Sequence, residues 1–246
     1  MSSTLRRRAL ALTFGLACHG AFLAAVSCMA LALWSGMQSG LGPFTGGAAW
    51  IANAALILQF PLLHSFLLSK RGRRVLTSLA PGEAGRTLAP TTYSLSASLQ
   101  LLVTFLLWSP SGEVLWRPTG VALALHAGLF AASWLFLLKA LHDAGLGLQS
   151  GSIGWMALWR GETPRYPGLP QRGLFARCRQ PIYLGFALLL WTGPVWTPDH
   201  LAIAIAWTAY CVLGPLHKES RFARQYGTDF DAYRRRVPYF LPRIHS

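Results

Sequence analysis

Acidic side chains are scarce in this 246-residue chain, with eight Asp and Glu against 22 Lys and Arg. Charge of either sign makes up only 12% of it, about half of the ~25% usual in a soluble domain. Cysteine is nearly as thin. Cys18, Cys28, Cys178 and Cys211 show no metal-ligand spacing and no disulfide framework. Three of them fall inside apolar runs, where cysteine serves as a small filler. No internal repeat is evident. Base-stacking aromatics interleaved with the basic residues are missing, as is any recognisable nucleic-acid module. The net charge of +14 therefore does not mark a nucleic-acid binder.

Apolar sequence is what the chain has in quantity, since 53% of it is hydrophobic. Runs over residues 9–34, 47–68, 92–108 and 119–138 each approach or exceed the ~20 residues a spanning helix needs. Shorter runs at 182–196 and 201–216 bring the count to six passes. A five-span arrangement, with the final run re-entrant or tilted, is the alternative. Arg6, Arg7 and Arg8 before the first run suggest a signal peptide, but that run exceeds the usual 7–15-residue apolar core. It reads as a retained first helix. The expected fold is an all-α, polytopic membrane protein forming one integral-membrane domain over 1–246. Four N-terminal helices reach residue 138, a cytoplasmic loop spans 139–181, and a helical hairpin with a basic tail fills 182–246.

The basic residues are placed unevenly. With six spans, 21 of the 22 fall on one side, Arg117 alone lying in a connection of the other parity. The positive-inside rule assigns that side to the cytoplasm. Both termini are then expected to be cytoplasmic, as in a bacterial inner membrane.

Two connections on the basic side are long. Residues 70–91 read as a loop broken by Pro81, Gly82, Gly85 and Pro90. Residues 139–181 are rich in Gly and Pro, and within them Trp155, Met156 and Trp159 at helical spacing suggest an interfacial helix over 141–159. Long loops in compact proteins tend to carry function, and this one runs directly into Arg-Cys-Arg-Gln-Pro-Ile-Tyr (177–183).

Pro181 forces Gln180 out of helical geometry and itself suits a first helical turn. A helix starting there presents free N–H groups that can receive an anion. Arg179 adds a planar fork matched to carboxylate or phosphate. Tyr183 and Gly185 lie in the first turns, where Gly185 permits close approach of a ligand or a neighbouring helix. The almost uncharged run of about thirty residues after Gly185 can return as a hairpin. Glu219, just beyond it, can hold a cationic or amino group. Anchoring of helix ends at lipid headgroups is the plainer use of Arg177, Arg179 and Arg221.

The pattern Arg-x-Arg-Gln-Pro-x-Tyr-x-Gly, a hairpin, an acid, and then Phe-x-x-Tyr-x-x-x-Val-Pro resembles the C-terminal signature of the isoprenylcysteine carboxyl methyltransferase and phospholipid methyltransferase superfamily. Leu-His-Ser at 63–65, the stretch 91–110, Gly-Leu-Gly-Leu-Gln at 145–149 and the Arg-Val-Pro-Tyr-Phe-Leu-Pro ending are similar to its bacterial methanethiol S-methyltransferase branch. The resemblance implies S-adenosyl-L-methionine at the cytoplasmic face. Gly173, Leu174, Phe175 and Cys178 would line the adenosine side. Arg179, Gln180, Pro181, Tyr183, Gly185 and Glu219 would complete the cofactor site. Arg234 and Arg236 would act in catalysis by favouring a thiolate, or by orienting a carboxylate acceptor.

Two positions depart from the family: the acidic pair usual after the last span is reduced to Glu219 followed by Ser220, and the central histidine is absent. Gln180 stands where a histidine is usual, so it can exchange hydrogen bonds but cannot titrate. The acceptor implied is a small thiol, methanethiol giving dimethyl sulfide. A lipid-like acceptor entering from the bilayer, an isoprenylcysteine carboxylate or a phospholipid amine, is the alternative. His19, His64, His126 and His142 fall in or near spans and are expected to face the bundle. His64 would be a haem ligand if the chain resembled instead the haem-associated NnrU and zeta-carotene isomerase proteins. No metal site is otherwise expected.

Overall fold

The structure, a computed structural model, describes residues 2–240; Leu241 and Pro242 of the C-terminal motif lie outside the described residues. Its helices are α1 (Ser3–Trp34), α2 (Gly46–Leu67), α3 (Lys70–Ser78), α4 (Ala84–Leu106), α5 (Gly120–Asp143), α6 (Leu146–Gln149), α7 (Ser152–Arg160), α8 (Pro181–Thr192), α9 (Pro198–Tyr226) and α10 (Thr228–Arg236). A 3-10 turn at Gly173–Ala176 precedes α8. Among the described residues there is no strand, only an isolated bridge between Trp116 and Trp196.

Two compact units divide the chain. The first takes the described residues up to Ala32, Ser39–Ser111 and Leu146–Tyr166; the second takes Leu33–Gln38, Gly112–Gly145 and the described residues from Pro167 onward.

In the first unit α4 is the spine, packing against α2, α3 and α7. Its inward face carries Thr91, Thr92, Ser98 and Thr104, all buried. The threonine hydroxyls are paired, as membrane interiors require: the Thr92 hydroxyl donates to the Ala89 carbonyl at 3.0 Å, the Thr104 hydroxyl donates to the Gln100 carbonyl at 3.0 Å, and Gln59 of α2 donates to the same carbonyl at 2.9 Å. Thr91 clasps α7, donating to the Gly151 carbonyl at 2.6 Å and accepting from the Trp155 N–H at 2.9 Å. Asn53 of α2 pairs with both backbone groups of Ser109, at 2.8 and 3.0 Å.

Several expectations change here. Residues 70–91 are not a broken loop. Ser69 caps α3 by accepting from the Gly72 N–H at 3.0 Å, and Pro90 lies inside α4. The proline forfeits one backbone bond, and burial of the α4 face outweighs that local cost. The stretch expected as an interfacial helix is two short helices, α6 and α7, and its tryptophans pack inward. Trp155 Nε1 donates to His19 Nε2 at 3.0 Å, and Arg8 lies 5.2 Å over the Trp159 ring.

In the second unit α5 packs on α8, and α8 on α9. Gly185 is a packing glycine, since a β-carbon there would come within 3.1 Å of Leu137 Cα on α5. One end of the unit is tied by the bridge, in which Leu115 donates to the Trp196 carbonyl at 2.9 Å and Trp196 donates to the Trp116 carbonyl at 2.9 Å. There Thr197 caps α9 by accepting from the His200 N–H at 2.9 Å, and Thr197, Asp199 and His200 are all buried. The opposite end gathers the last turn of α5, the 3-10 turn, the start of α8, the end of α9 and α10. His142 at that end does not face inward as expected: its side chain is 76% exposed, because the apolar part of α5 has already ended.

Among the described residues, four helices are long and apolar enough to cross a membrane: α1, α2, α5 and α9. α4 has the length, with 23 residues, but its buried polar face lowers its hydropathy. α8 has 12 residues, or ~18 Å at 1.5 Å per residue, short of the ~30 Å hydrocarbon core. Leu16, Leu23, Ile51, Val121 and Leu125 project outward from the spanning helices, as expected of side chains meeting lipid. The chain is a multi-pass helical membrane protein.

Candidate active site

Pro181 opens α8 at its first position, and Gln180 before it sits at φ −125°, ψ 50°, outside the helix. That kink, imposed by the proline ring on its predecessor, turns Arg179 and Gln180 toward α9. Both reach Glu219. Its Oε1 accepts from Arg179 Nε at 2.8 Å and from Gln180 Nε2 at 2.8 Å, while Arg179 Nη2 lies 3.4 Å from Oε2. The Arg179 and Glu219 side chains are each 11% exposed, so the pair is largely shielded from water and from salt.

The other edge of the guanidinium serves the tail. Arg179 Nη1 donates to the Val237 carbonyl at 2.6 Å and to the Arg234 carbonyl at 3.1 Å, and the Arg179 N–H donates to the Pro238 carbonyl at 2.9 Å. The planar fork with five donors explains why one arginine can hold both groups at once. Its plane also faces the Tyr239 ring, 5.5 Å from the centroid.

Gln180 is 2% exposed and engaged at both ends of its amide. Its Nε2 goes to Glu219, and its Oε1 accepts from Lys218 Nζ at 3.2 Å. The Lys218 ammonium stands 5.4 Å from the Phe222 ring centroid, 5.6 Å from Phe175 and 5.8 Å from Tyr183. Sequence reasoning passed over Lys218 and Phe222. The signal available was their i,i+4 spacing, which places them on one helical face.

Phe175 and Tyr233 are buried together, the Tyr233 hydroxyl donating to the Phe175 carbonyl at 2.7 Å. The Cys178 thiol donates to the Tyr239 carbonyl at 3.4 Å, and burial pushes its pKa up against the opposing pull of the Gln180 backbone and nearby cations. It stays a thiol and is no nucleophile. Tyr239 donates to the Val212 carbonyl at 2.7 Å. Burial, aided by the Glu219 charge, pushes its phenol up to about 12, so it too remains a donor.

Phe175, Cys178, Arg179, Gln180, Pro181, Tyr183 and Glu219 thus share one end of the second unit. The remaining expected residues have other attachments. Leu174 N–H donates to Asp143 Oδ2 at 2.8 Å, and Lys139 pairs with the same carboxylate. Gly173 has φ +59°, and a β-carbon there would strike Asp143. Both therefore dock the 3-10 turn on the end of α5. Gly185 packs on α5. The Arg234 and Arg236 side chains are exposed: Arg236 Nη2 donates to Gln171 Oε1 at 2.9 Å, and Arg234 lies 3.9 Å from Asp231. Of Arg234, only the backbone carbonyl enters the cluster. His64 belongs to the first unit, where it sits 2.7 Å from the Tyr93 hydroxyl and stacks on Phe60. Among the described residues no group of three or more His, Cys, Asp or Glu could hold a metal ion.

Comparison with known proteins identifies the family. The chain is 30% identical over 209 residues to methanethiol S-methyltransferase 2 of Bradyrhizobium diazoefficiens, covering 83% of this chain and 77% of that protein. It is 30% identical over 206 residues to the methanethiol S-methyltransferase of Mycobacterium tuberculosis, covering 81% and 80%. Nurim of Xenopus laevis is 32% identical over 123 residues, 47% of this chain and 43% of its own. No family model matches the chain, and no solved structure does. A likeness at this level across four-fifths of both chains, with the Arg-Gln-Pro motif built into a buried polar cluster, settles the relationship: the chain belongs to the methanethiol S-methyltransferase family of integral-membrane methyltransferases, within the isoprenylcysteine carboxyl methyltransferase-like group.

Proposed function

We propose that this methyltransferase S-methylates methanethiol to dimethyl sulfide, with S-adenosylmethionine as the methyl donor, at the end of the second unit built around Arg179, Gln180 and Glu219. The observation carrying the reading is the Arg179–Glu219 couple, a guanidinium fork and a carboxylate 2.8 Å apart. An amino-acid zwitterion needs one group of each sign, and these residues fit the methionine part of the donor. The two side chains, now satisfying one another, would exchange that contact for the ligand's carboxylate and ammonium with no net charge left over. Gln180, with a donor and an acceptor, fits a ribose hydroxyl or the same carboxylate.

S-adenosylmethionine, when bound, supplies an electrophilic methyl on a sulfonium, whose carbon–sulfur bond breaks toward the donor sulfur as the acceptor's sulfur–carbon bond forms. The protein's own tasks are positional and electrostatic. Holding the acceptor at about 3–3.5 Å with water excluded supplies much of the acceleration. The thiol proton must leave, because the thiolate is the reactive form. Gln180 cannot take it, so it passes to solvent, and the positive charge of Lys218 favours the resulting anion.

The site is proposed to face the cytoplasm of a bacterial inner-membrane protein with both termini inside. Supporting this, the 112–119 and 193–197 connections share the end marked by the Trp116–Trp196 bridge and carry one basic residue, Arg117, whereas the opposite end of the unit holds Lys139, Arg179, Lys218 and α10.

Purified protein in detergent, given methanethiol and S-adenosylmethionine, is expected to release dimethyl sulfide measurable by headspace gas chromatography. Arg179→Ala and Glu219→Ala should each weaken binding of S-adenosylmethionine by more than tenfold. Methyl transfer to a prenylated cysteine or phospholipid amine, without dimethyl sulfide, would replace the acceptor. Unaltered donor affinity in both variants would mean the pocket lies elsewhere.

A further inference from the structure

The Lys218 ammonium has an unusual set of neighbours. Glu219, next in the chain, gives its carboxylate to Arg179 and Gln180. Lys218 instead points among three aromatic rings contributed by three separate segments: Phe175 from the 3-10 turn, Tyr183 from α8 and Phe222 from α9. All lie within 5.4–5.8 Å of Nζ. Pinning Gln180 would need only the one hydrogen bond at 3.2 Å. Three rings converging on one point make an aromatic cage, the arrangement that attracts a compact cation through the ring quadrupoles.

Building on the reading of this site as one for S-adenosylmethionine, we propose that the Phe175–Tyr183–Phe222 cage is the seat of the donor's sulfonium, and that the Lys218 ammonium fills that seat in the ligand-free protein. Ammonium and sulfonium carry the same charge and cannot share the cage. Lys218 therefore vacates it on donor binding, its four-carbon stem allowing the head to withdraw along the helix end toward water. After transfer the product sulfur is neutral and has no claim on the rings. Lys218 can then return to the cage beside the neutral product. The cage gives the charged donor its preference over the neutral product, and the resident lysine subtracts from it.

The test measures equilibrium binding of S-adenosylmethionine and S-adenosylhomocysteine, which differ by the methyl group and its charge, to the full-length protein in detergent. Lys218→Met keeps the stem and removes the competing cation. It should tighten S-adenosylmethionine on the order of tenfold while changing S-adenosylhomocysteine by less than about twofold. Phe222→Leu added to Lys218→Met, where no ammonium competes for the rings, should weaken S-adenosylmethionine about three- to thirty-fold relative to Lys218→Met, again sparing the product. Tyr183→Leu in the same background is the second cage variant, with the same expected signature. Affinity for S-adenosylhomocysteine doubles as the folding control in every variant. Parallel shifts for both ligands, or no shift for either, overturn the cage. If the wild-type protein binds neither ligand, the donor assignment falls and the cage with it. If it binds both and the variants do not separate them, the cage alone falls.

Discussion

Replacing Glu219 by Gln removes one charge from a shielded ion pair and changes little else in size. Glu219 accepts from Arg179 Nε and Gln180 Nε2 at 2.8 Å each, with a third, longer contact at 3.4 Å. A hydrogen bond to a charged group contributes about 1.5–3 kcal/mol. Stripping a buried ion of its partner costs about 3–5 kcal/mol. Arg179 is not stripped, because it keeps the Val237 and Arg234 carbonyls, and the glutamine carbonyl can still accept one bond. The expected loss is therefore about 2–3 kcal/mol. For a chain of this size that lowers Tm by roughly 5–10 °C. Thermal unfolding in detergent reads the stability, and titration with S-adenosylmethionine reads the function, where loss of the acid should weaken binding more than tenfold. A Tm within about 1 °C of wild type would refute the energetic account. A lowered Tm with full donor affinity would keep Glu219 as a brace for the tail and remove it from the pocket.

Gln180→His should keep stability within about 1 kcal/mol, because a neutral imidazole can donate to Glu219 and accept from Lys218, whereas Gln180→Leu leaves both partners short and should cost about 1–3 kcal/mol; chemical denaturation would separate the two. Tyr239 has a folded pKa of about 12, raised by burial above the ordinary value of 10.0, so its contribution is intact below pH ~10 and lost as pH rises through 12. Stability measured from pH 9 to 12 should fall across that window, and Tyr239→Phe should flatten the fall. Val114 is exposed and lies on the connection before α5, so Val114→Cys in intact cells should react with a membrane-impermeant maleimide from outside; protection there, with labelling only after lysis, would reverse the proposed orientation. Positions 197, 199 and 200 are poor labelling targets because they are buried.

Much of this protein is legible in one dimension, for physical reasons that particular residues display. Solvent is the first. A bilayer demands long apolar runs with internally satisfied backbones, so α1, α2 and α5 show directly in composition. Backbone stereochemistry is the second. Pro181 places a helix start at itself and an extended residue at Gln180, and the structure has both. Arg179, Gln180 and Glu219 were readable as a group because the apolar run between them can only go out and return. Other features depended on packing energies that no local pattern contains. Pro90 reads as a breaker, yet α4 runs through it because Leu88, Thr91 and Thr92 bury their face. Trp155 and Trp159 read as interfacial, yet His19 and Arg8 draw them inward from more than a hundred residues away. Gly185 was equally suited to a ligand or a helix until Leu137 took the space. Arg234 and Arg236 looked catalytic by motif, whereas the tertiary structure turns their side chains outward and uses the Arg234 carbonyl instead. Lys218 is the residue least legible in the sequence. Its aromatic surroundings come from three segments, and only folding could bring Phe175, Tyr183 and Phe222 to one point.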